Sequence, residues 1–376
     1  MPTRLTAEAE LVMARCLELA QCTEEPGRIT RTFLSPPMRR VHELVSGWMR
    51  EVGLQVSIDA VGNIRGLRGP GARRLIIGSH LDTVPNAGAY DGILGVVMGI
   101  AMAKECSDVA VIGFSEEEGV KFGVPFIGSR AVVGTAGELV DARVAKAIRE
   151  YGLDPARLPE ARLTGAAYFE IHIEQGPVLE HHDLALGIVD AIAGQSRYAV
   201  TFHGSANHAG TTPMHLRNDA LVRAAKWILQ VERCGRETEG LVATVGRCEV
   251  EPGAGNVIPG RVRASLDVRH KLDAIRRNSA NELVQNLDAE LLMDVPAMEL
   301  DVTALADAVS QEGFAAFHLT SGAGHDAMVM AQAMPATMLF LRSPKGISHH
   351  PAEAVLVDDV EAALRCAKRF VRNWNG

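Results

Sequence analysis

The chain has 376 residues, more than one simple hydrophobic core accommodates, so two domains are expected. Hydrophobic residues make up 47% and charged residues 22%, as in a water-soluble globular protein, and a net charge of -8 disfavours a nucleic-acid or anionic-membrane binder. The sequence contains no run of about 18 apolar residues, so no membrane span is predicted. The six cysteines form no CxxC pair and no signal peptide is recognisable, which predicts reduced thiols in the cytoplasm.

The first third of the chain alternates predicted helices and strands. Residues 5–21 and 37–52 predict amphipathic helices, and residues 54–69 alternate apolar and polar side chains as a hairpin does. An apolar strand follows and is expected to break at Gly78, and a small-residue helix over 92–106 leads into a second strand, "DVAVIGF". This alternation predicts an α/β fold with a mixed, largely parallel sheet.

The middle of the chain has a different pattern. The stretches "SRYAVTFHG", "LVATVGRCEV" and "RVRASLDVRH" read as strands, with helices predicted over 218–235 and 272–291 and "DVPAMELD" as a return linker. A small α+β domain, residues 191–297, is therefore predicted as an insertion in a sheet domain formed by residues 1–190 and 298–376.

Four polar clusters fall where a predicted strand ends. They are "GSHLDTV", "FSEEEG", "YFEIHIEQG" and "FLRSPKGISHH". Ligand sites of open α/β sheets gather at the carboxyl ends of strands, and histidine and carboxylate side chains bind divalent metals. The candidate metal-binding or catalytic residues are His80, Asp91, Glu117, Glu118, His172 and His349. Asp82, two residues after His80, is expected to orient that histidine.

Each candidate alone has a simpler interpretation. A histidine at a strand end is usually structural, Asp-Gly is usually a turn, and three adjacent acids are usually a solvated loop or a helix cap. Taken together, these interpretations would require five unrelated coincidences at one edge of one sheet, so a shared site is favoured.

The motifs resemble those of the M20 metallopeptidase-like amidohydrolases, in the branch that holds N-carbamoyl-L-amino acid hydrolases, β-ureidopropionases and allantoate amidohydrolases. The matching stretches are "GSHLDTV", "AGAYDGILGV", "FSEEEGVKFGVPFIGSRAVVG", "EIHIEQGPVLE", "GSANHAGTTPM", "GNVIPG", "LDVRH", "SGAGHDAM" and "GISHHPAE". They occur in the family's order across residues 75–353. One departure is Lys121, where arginine is usual in the family.

The resemblance implies a zinc-peptidase-like catalytic domain with two divalent metal ions. The implied ligands are His80 and His172 on one ion, Glu118 and His349 on the other, and Asp91 between the two. Glu117 would be the general base and Glu116 a solvated or structural neighbour, while His350 remains an alternative to His349. Zinc or manganese is expected, and cobalt or nickel also suits these ligands.

The resemblance also implies a substrate pocket and a homodimer. His208 of the inserted lid and dimerisation domain would reach the site from the partner subunit to stabilise an oxyanion. Arg269 would bind the substrate carboxylate. The other implied pocket residues are Gln175, Asn256, Gly324 and His325.

The implied substrate is a small carboxylate that carries an N-carbamoyl (ureido) group. Allantoate is favoured, giving ureidoglycine (or ureidoglycolate), ammonia and carbon dioxide; N-carbamoyl-L-amino acids and β-ureidopropionate are alternatives. A catalytically silent binding protein is expected to lack Glu117, Asp91 or His349, and all three are present. A dipeptidase or aminoacylase of the superfamily is expected to carry an acid in place of His172.

Overall fold

The computed structural model describes residues 4–374. The helices are α1 (Arg4–Ala20), α2 (Met38–Glu51), α3 (Ile93–Met102), α4 (Ile127–Val133), α5 (Ala142–Tyr151), α6 (Val178–His181), α7 (Ala220–Glu237), α8 (Asp273–Val284), α9 (Thr303–Gln311), α10 (Asp326–Met330) and α11 (Val357–Asn373). The strands are β1 (Gln55–Ile58), β2 (Ile64–Arg68), β3 (Leu75–His80), β4 (Val109–Phe114), β5 (Ala167–Ile173), β6 (Leu186–Ile192), β7 (Gly194–His203), β8 (Asn207–His208), β9 (Val242–Thr244), β10 (Cys248–Glu251), β11 (Val257–Ile258), β12 (Arg261–His270), β13 (Asp288–Val295), β14 (Met298–Glu299), β15 (His318–Ser321) and β16 (Ala336–Leu341).

The described chain divides into two compact units. One contains the residues up to Asp190 together with those from Leu300 onward, and the other is Ala191–Glu299. A catalytic role for the first unit and a lid or dimerisation role for the second remain predictions. Within residues 4–374, no helix combines the length and apolar character that crossing a bilayer requires.

A nine-stranded mixed sheet is the centre of the first unit, and of its strands only β14 and the last two residues of β6 belong to the second unit. Its order is β1-β2-β4-β3-β5-β16-β6-β14, with β15 beside β6. The four central strands β4, β3, β5 and β16 are parallel, whereas β2 and β6 flank them in antiparallel pairings. The predicted α/β fold with a mixed, largely parallel sheet is therefore confirmed.

The central strands are buried along their whole length because helices cover the sheet. Helix α3 packs closely on it through small residues, as the sequence predicted. A Cβ atom on Gly95 would lie 2.1 Å from the carbonyl oxygen of Ile171, so only glycine permits this approach.

The strand expected to break at Gly78 continues to His80, so that prediction was wrong. Gly78 pairs in register with Ile112, and a Cβ atom on Gly78 would lie 3.0 Å from the Phe114 ring. Glycine here makes room for a neighbouring side chain within the sheet and does not end the strand.

The second unit is a five-stranded antiparallel sheet covered by two helices. The sheet has the order β10-β12-β7-β13, with β9 beside β12. Helices α7 and α8 contribute Trp227 and Leu283 to a core with Phe202 and Leu266 of the sheet. Strands β8 and β11 form a separate two-stranded pair in this unit.

The helix predicted over 272–291 was too long. Helix α8 ends at Val284, Asn286 adopts a left-handed conformation with φ of 61°, and the following residues form β13 along the edge of β7. Pairing with a strand more than 80 residues earlier in the chain outweighs the local helical pattern. The predicted return linker contains the short strand β14, which pairs with the last two residues of β6.

Candidate metal and active site

The four polar clusters follow the four central parallel strands. Strands β3, β4, β5 and β16 end at His80, Phe114, Ile173 and Leu341, and these ends lie at the same edge of the sheet. The loops that leave this edge bring together histidines and carboxylates that are distant in the sequence. The grouped residues are His80, Asp91, Glu117, Glu118, His172, Gln175 and His349.

One donor set consists of His80, His172 and Asp91, all buried. Nε2 of His172 lies 3.2 Å from Oδ1 of Asp91, and Nε2 of His80 lies 3.8 Å from the same oxygen. The two Nε2 atoms are 3.5 Å apart. Three nitrogen and oxygen atoms therefore face one small volume.

The hydrogen bonds of the two rings fit a bound cation in that volume. Nδ1 of His80 lies 3.0 Å from the backbone oxygen of Asp82, and Nδ1 of His172 lies 2.9 Å from that of Ile173. Each Nδ1 therefore donates a hydrogen to a backbone oxygen, so with a cation bound both rings would present their Nε2 lone pairs on the side of Asp91. The buried Oδ1 of Asp91 has no hydrogen-bond donor in suitable geometry, so a positive charge would satisfy all three atoms.

The shifted pKa values of His172 and Asp91 show that this volume favours a positive charge. Burial lowers the pKa of His172, but Asp91 outweighs this effect and raises it to about 9. Burial alone would raise the pKa of Asp91, and contacts with His172 and His349 hold it well below its ordinary value instead.

A second donor set shares Asp91. Nε2 of the half-exposed His349 lies 3.1 Å from Oδ2 of Asp91 and 3.4 Å from Oε1 of Glu118. These two carboxylates raise the pKa of His349 to about 10. Asp91 thus offers one oxygen to each set, the arrangement expected of a carboxylate that bridges two cations.

Glu117 lies beside the first donor set. It is buried, with Oε2 4.0 Å from Nε2 of His80. Burial, followed by the nearby carboxylates of Glu118 and Asp326, raises the pKa of Glu117 well above its ordinary value. Bound cations would offset this repulsion and favour the ionised form.

Glu116 was expected to be either a solvated or a structural neighbour of Glu117, and it is buried, as a structural residue would be. Its backbone is left-handed, with φ of 54°, and its Oε1 accepts a hydrogen bond from the backbone N–H of Lys121. The Lys121 ammonium, at the position where arginine is usual in the family, donates to the backbone oxygen of Phe33 at 2.9 Å. Both side chains therefore stabilise the loop that carries Glu117 and Glu118.

Asp82 acts on two parts of the site. Its backbone oxygen, and not its carboxylate, makes the close contact with His80; the carboxylate lies 3.8 Å from that ring. The carboxylate oxygens accept hydrogen bonds from the backbone N–H groups of Glu117 and Glu118, both at 3.1 Å. Asp82 therefore connects the loop after β3 with the loop after β4.

Two residues that contact the cluster were quoted in the sequence motifs but given no role. Ser348 Oγ lies 3.2 Å from Asp91 Oδ2 and 3.2 Å from Glu353 Oε2. Gln175, which was predicted as a pocket residue, donates to the same Asp91 oxygen at 3.0 Å. The glutamate in "GISHHPAE" could have been singled out as an acid near the proposed ligand His349.

The other predicted pocket residues of the first unit lie beneath or beside the cluster. The buried ring of His325 packs 4.5 Å, between centroids, from that of His172 and contacts Ser321 Oγ at 2.8 Å. A Cβ atom on Gly324 would lie 2.9 Å from the ring of Phe126. His325 therefore packs against the proposed ligand His172, and Gly324 lies close to Phe126. Direct contact of either residue with substrate remains a prediction.

The predicted pocket residues of the second unit lie beyond one end of β12 and near its other end. His208 on β8 is exposed and neighbours Asn256, whose backbone oxygen accepts a hydrogen bond from Ala209. Both lie beyond the Arg261 end of β12, whereas Arg269 is near the other end of that strand. About eight residue steps, or roughly 26 Å, separate Arg261 from Arg269.

Arg269 is already paired with a carboxylate. Its Nε donates to Asp267 Oδ1 at 2.9 Å, and its Nη2 donates to Asp267 Oδ2 at 3.0 Å. The same Oδ2 accepts hydrogen bonds from Gln195 and Arg197 of β7. This contact fixes one edge of the guanidinium in a two-pronged geometry.

Histidine and carboxylate donors at one sheet edge, with a buried glutamate beside them, are typical of metal-dependent hydrolases. Comparison with known proteins agrees with this class. The family model of peptidase family M20/M25/M40 matches residues 76–373, and the chain belongs to this family. It is an amidohydrolase of the hydantoinase/carbamoylase branch, as the sequence motifs predicted.

Similar proteins match over nearly their whole lengths. An N-carbamoyl-L-amino acid amidohydrolase from Geobacillus stearothermophilus is 40% identical, covering 92% of this chain and 93% of its own. A probable allantoate deiminase from Oryza sativa subsp. japonica is 38% identical, covering 95% and 87%. The crystal structure of a hydantoinase/carbamoylase family amidase from Burkholderia ambifaria has a TM-score of 0.88 at 30% identity, covering 98% of each chain.

Proposed function

We propose that this protein hydrolyses the ureido C–N bond of a small N-carbamoyl carboxylate, with allantoate as its substrate. The observation that carries the proposal is that Asp91 offers one oxygen to each of two donor sets. His80 and His172 would hold one divalent ion, and Glu118 and His349 the other. Zinc or manganese suits these donors, which would also accept cobalt or nickel.

The bound ions would polarise the ureido carbonyl group and lower the pKa of the attacking water. Glu117 would take a proton from this water and transfer it to the leaving nitrogen. Its position supports this role, because its carboxylate is buried beside His80 and does not contact Asp91, although it also groups with His80 and Glu118 as a possible donor. The products from allantoate would be ureidoglycine (or ureidoglycolate), ammonia and carbon dioxide.

Allantoate is proposed because the stretches "NAGAYDGILG" and "SGAGHDAM" most resemble those of allantoate amidohydrolases. A 38% identical relative named as a probable allantoate deiminase supports this choice. The 40% identical relative named as an N-carbamoyl-L-amino acid amidohydrolase makes N-carbamoyl-L-amino acids the second candidate. Both substrate classes combine a ureido group with a carboxylate.

A homodimer is part of the proposal. The Arg269 guanidinium suits the substrate carboxylate and His208 the developing oxyanion. Arg269 lies near one end of the ten-residue strand β12, however, and His208 lies on β8, beyond the other end. A substrate only a few ångströms long cannot contact both residues of one subunit. We infer that each substrate receives His208 from the partner subunit.

The test is an assay of ammonia release from allantoate and from a panel of N-carbamoyl-L-amino acids and β-ureidopropionate, with manganese or zinc added. Allantoate should give the highest kcat/KM. A higher kcat/KM for an N-carbamoyl amino acid would replace allantoate with the second candidate. Absence of metal-dependent ammonia release from every member of the panel would overturn the proposed function.

A further inference from the structure

The buried carboxylate of Glu353 joins two loops of the site. Its Oε1 accepts hydrogen bonds from the backbone N–H groups of Tyr90 and Asp91, at 2.9 and 3.1 Å. Its Oε2 lies 3.2 Å from the hydroxyl oxygen of Ser348, the residue before His349. The proposed bridging carboxylate and the proposed ligand His349, more than 250 residues apart, are thus tied to one side chain.

The Ser348 hydroxyl extends this connection to the Asp91 side chain. It lies 3.2 Å from Oδ2 of Asp91 as well as from Glu353. A hydroxyl has one hydrogen to donate and two acceptor positions, so it can bond to one ionised carboxylate at a time. Glu353 therefore contacts Asp91 directly at its backbone N–H, and Ser348 lies between the two carboxylates and donates to one or the other.

The loop before Asp91 is shaped to fit Glu353. A Cβ atom on Gly88 would lie 2.3 Å from Cβ of Glu353 and 2.4 Å from its Oε1. Glycine at this position lets the backbone approach the glutamate closely enough for both N–H groups to bond. The side chain is 6% exposed, so water does not replace these hydrogen bonds.

We propose that Glu353 is a positioning residue that fixes the direction of Asp91 relative to His349. It holds the Tyr90–Asp91 backbone on one side and Ser348 on the other, so that the two oxygens of Asp91 face the two donor sets. Partners that orient metal ligands in this way commonly contribute about 10–100-fold to metal affinity or activity. This inference rests on the proposed metal site.

The test is metal affinity, measured by competition with a chromogenic chelator on the full-length protein. Glu353→Ala should weaken zinc or manganese binding about 10–100-fold. Asp108→Ala is a matched control, because Asp108 is also a buried carboxylate that accepts two backbone N–H groups, those of Gly71 and Arg73. It precedes β4, at the opposite edge of the sheet, so its loss should lower thermal stability and leave metal affinity unchanged.

Metal affinities of the wild-type protein and of Asp91→Asn show whether a failed test concerns the proposed metal site or only the positioning role of Glu353. If the wild-type protein binds no divalent metal, or Asp91→Asn binds it as tightly as wild type, the proposed metal site fails. If those two behave as expected but Glu353→Ala retains wild-type affinity, only the positioning role fails. An equal loss of affinity in Glu353→Ala and Asp108→Ala would also overturn it, because general destabilisation would then explain the effect.

If Glu353→Ala does not fold, the variants Glu353→Gln and Ser348→Ala test the same proposal. Glutamine keeps an oxygen for the two backbone N–H groups, so its affinity should remain within a few-fold of wild type. Ser348→Ala should change the visible absorption spectrum of the cobalt-substituted protein, since the direction of Asp91 alters. A wild-type spectrum for Ser348→Ala, or a Glu353→Gln affinity that has fallen 100-fold, would contradict the proposed geometry.

Discussion

At the scale of single residues, three consecutive glutamates have three different surroundings. Glu116 is buried and accepts a hydrogen bond from its own loop, Glu117 is buried beside His80, and Glu118 faces His349. Their directions differ because the chain leaves β4 with a left-handed residue at Glu116. Adjacent acids can therefore serve structure, proton transfer and metal binding separately.

Glu117→Gln should bind metal with near-native affinity but lose about 10²–10⁴-fold in kcat, because glutamine cannot accept the water's proton. Stopped assays of ammonia release, combined with chelator competition, measure the two properties on the same preparation. Glu118→Gln is the matched comparison and should lose metal affinity, because Glu118 faces the second donor set. Near-native turnover by Glu117→Gln would exclude it as the base.

His42 gives a pH dependence of stability away from the proposed site. Burial lowers the pKa of His42 from 6.5 to about 4, and its Nδ1 lies 2.9 Å from the Tyr151 hydroxyl. The unfolded chain takes up a proton near its ordinary pKa while the folded protein does not. The stability contributed by neutral His42 is thus present above about pH 6.5 and is lost as the pH falls toward 4.

Between pH 7 and pH 5, the wild-type protein should lose about 2 kcal/mol more unfolding free energy than His42→Gln. Glutamine does not titrate and can still accept a hydrogen bond from Tyr151. Urea unfolding of both proteins with a chelator present measures the difference, since the other titrating groups are common to both. Equal losses in the two proteins would show that His42 titrates normally in the fold.

At the scale of elements, the site is made by loops at one end of four parallel strands. Glu116, Gln175 and His349 have positive φ values of 54°, 60° and 55° although none is glycine. Such conformations cost of order 1 kcal/mol or more each and persist only where surrounding contacts hold them. Asp82 and Glu353 supply such contacts, because their carboxylates accept hydrogen bonds from backbone N–H groups of these loops.

Gly92, at the start of α3, limits what these loops tolerate. It has φ of 72°, and a Cβ atom there would lie 2.4 Å from the His80 ring. Gly92→Ala should therefore move His80, weaken metal binding at least tenfold and destabilise the fold by more than about 1 kcal/mol. Chelator competition and thermal unfolding measure these effects.

Gly47→Ala is the control for Gly92→Ala. Gly47 lies inside α2, and a Cβ atom there meets nothing within 4 Å. Alanine should stabilise this helix by roughly 0.5–1 kcal/mol and leave metal affinity unchanged. Wild-type metal binding by Gly92→Ala would show that the loop adjusts without moving His80.

At the scale of the whole molecule, the second unit separates two proposed substrate contacts. Arg269 lies near one end of β12 and His208 on β8, beyond the other end. Leu291 and Leu292 are more than half exposed on the edge strand β13. An exposed apolar edge strand favours pairing with a second copy of the chain. We therefore predict that the dimer forms through this unit, which mixing of two impaired variants can test.

His208→Ala should be nearly inactive as a separate preparation. Arg269→Ala should mainly have a raised KM, and so should be nearly inactive at substrate concentrations around the wild-type KM. When the two are unfolded together and refolded, about a quarter of the sites should regain native activity, because each mixed dimer has one site with both residues intact. Ammonia release and sedimentation velocity measure activity and assembly. Failure to recover activity in a verified mixed dimer, or a fully active monomer, would contradict contribution of His208 by the partner.

The sequence by itself determined the class of fold, the family and the group of candidate donors. Buried apolar strands alternating with helices predict a largely parallel sheet, and polar residues after such strands must meet at one edge. His80, Asp91, His172 and His349 could therefore be proposed as one group before their contacts were visible. Local propensity, however, wrongly placed a strand break at Gly78 and extended α8 into residues that form β13.

Only the tertiary structure decided which atoms meet. It showed that Asp91 divides its two oxygens between two donor sets, that the Asp82 carboxylate binds the Glu117 and Glu118 backbone, and that Glu353 joins two loops. These relations depend on residues brought together from distant parts of the chain and on backbone directions at loop positions. Neither can be read from local pattern, because hydrogen bonds and strand pairing across the sheet fix them after the elements have packed.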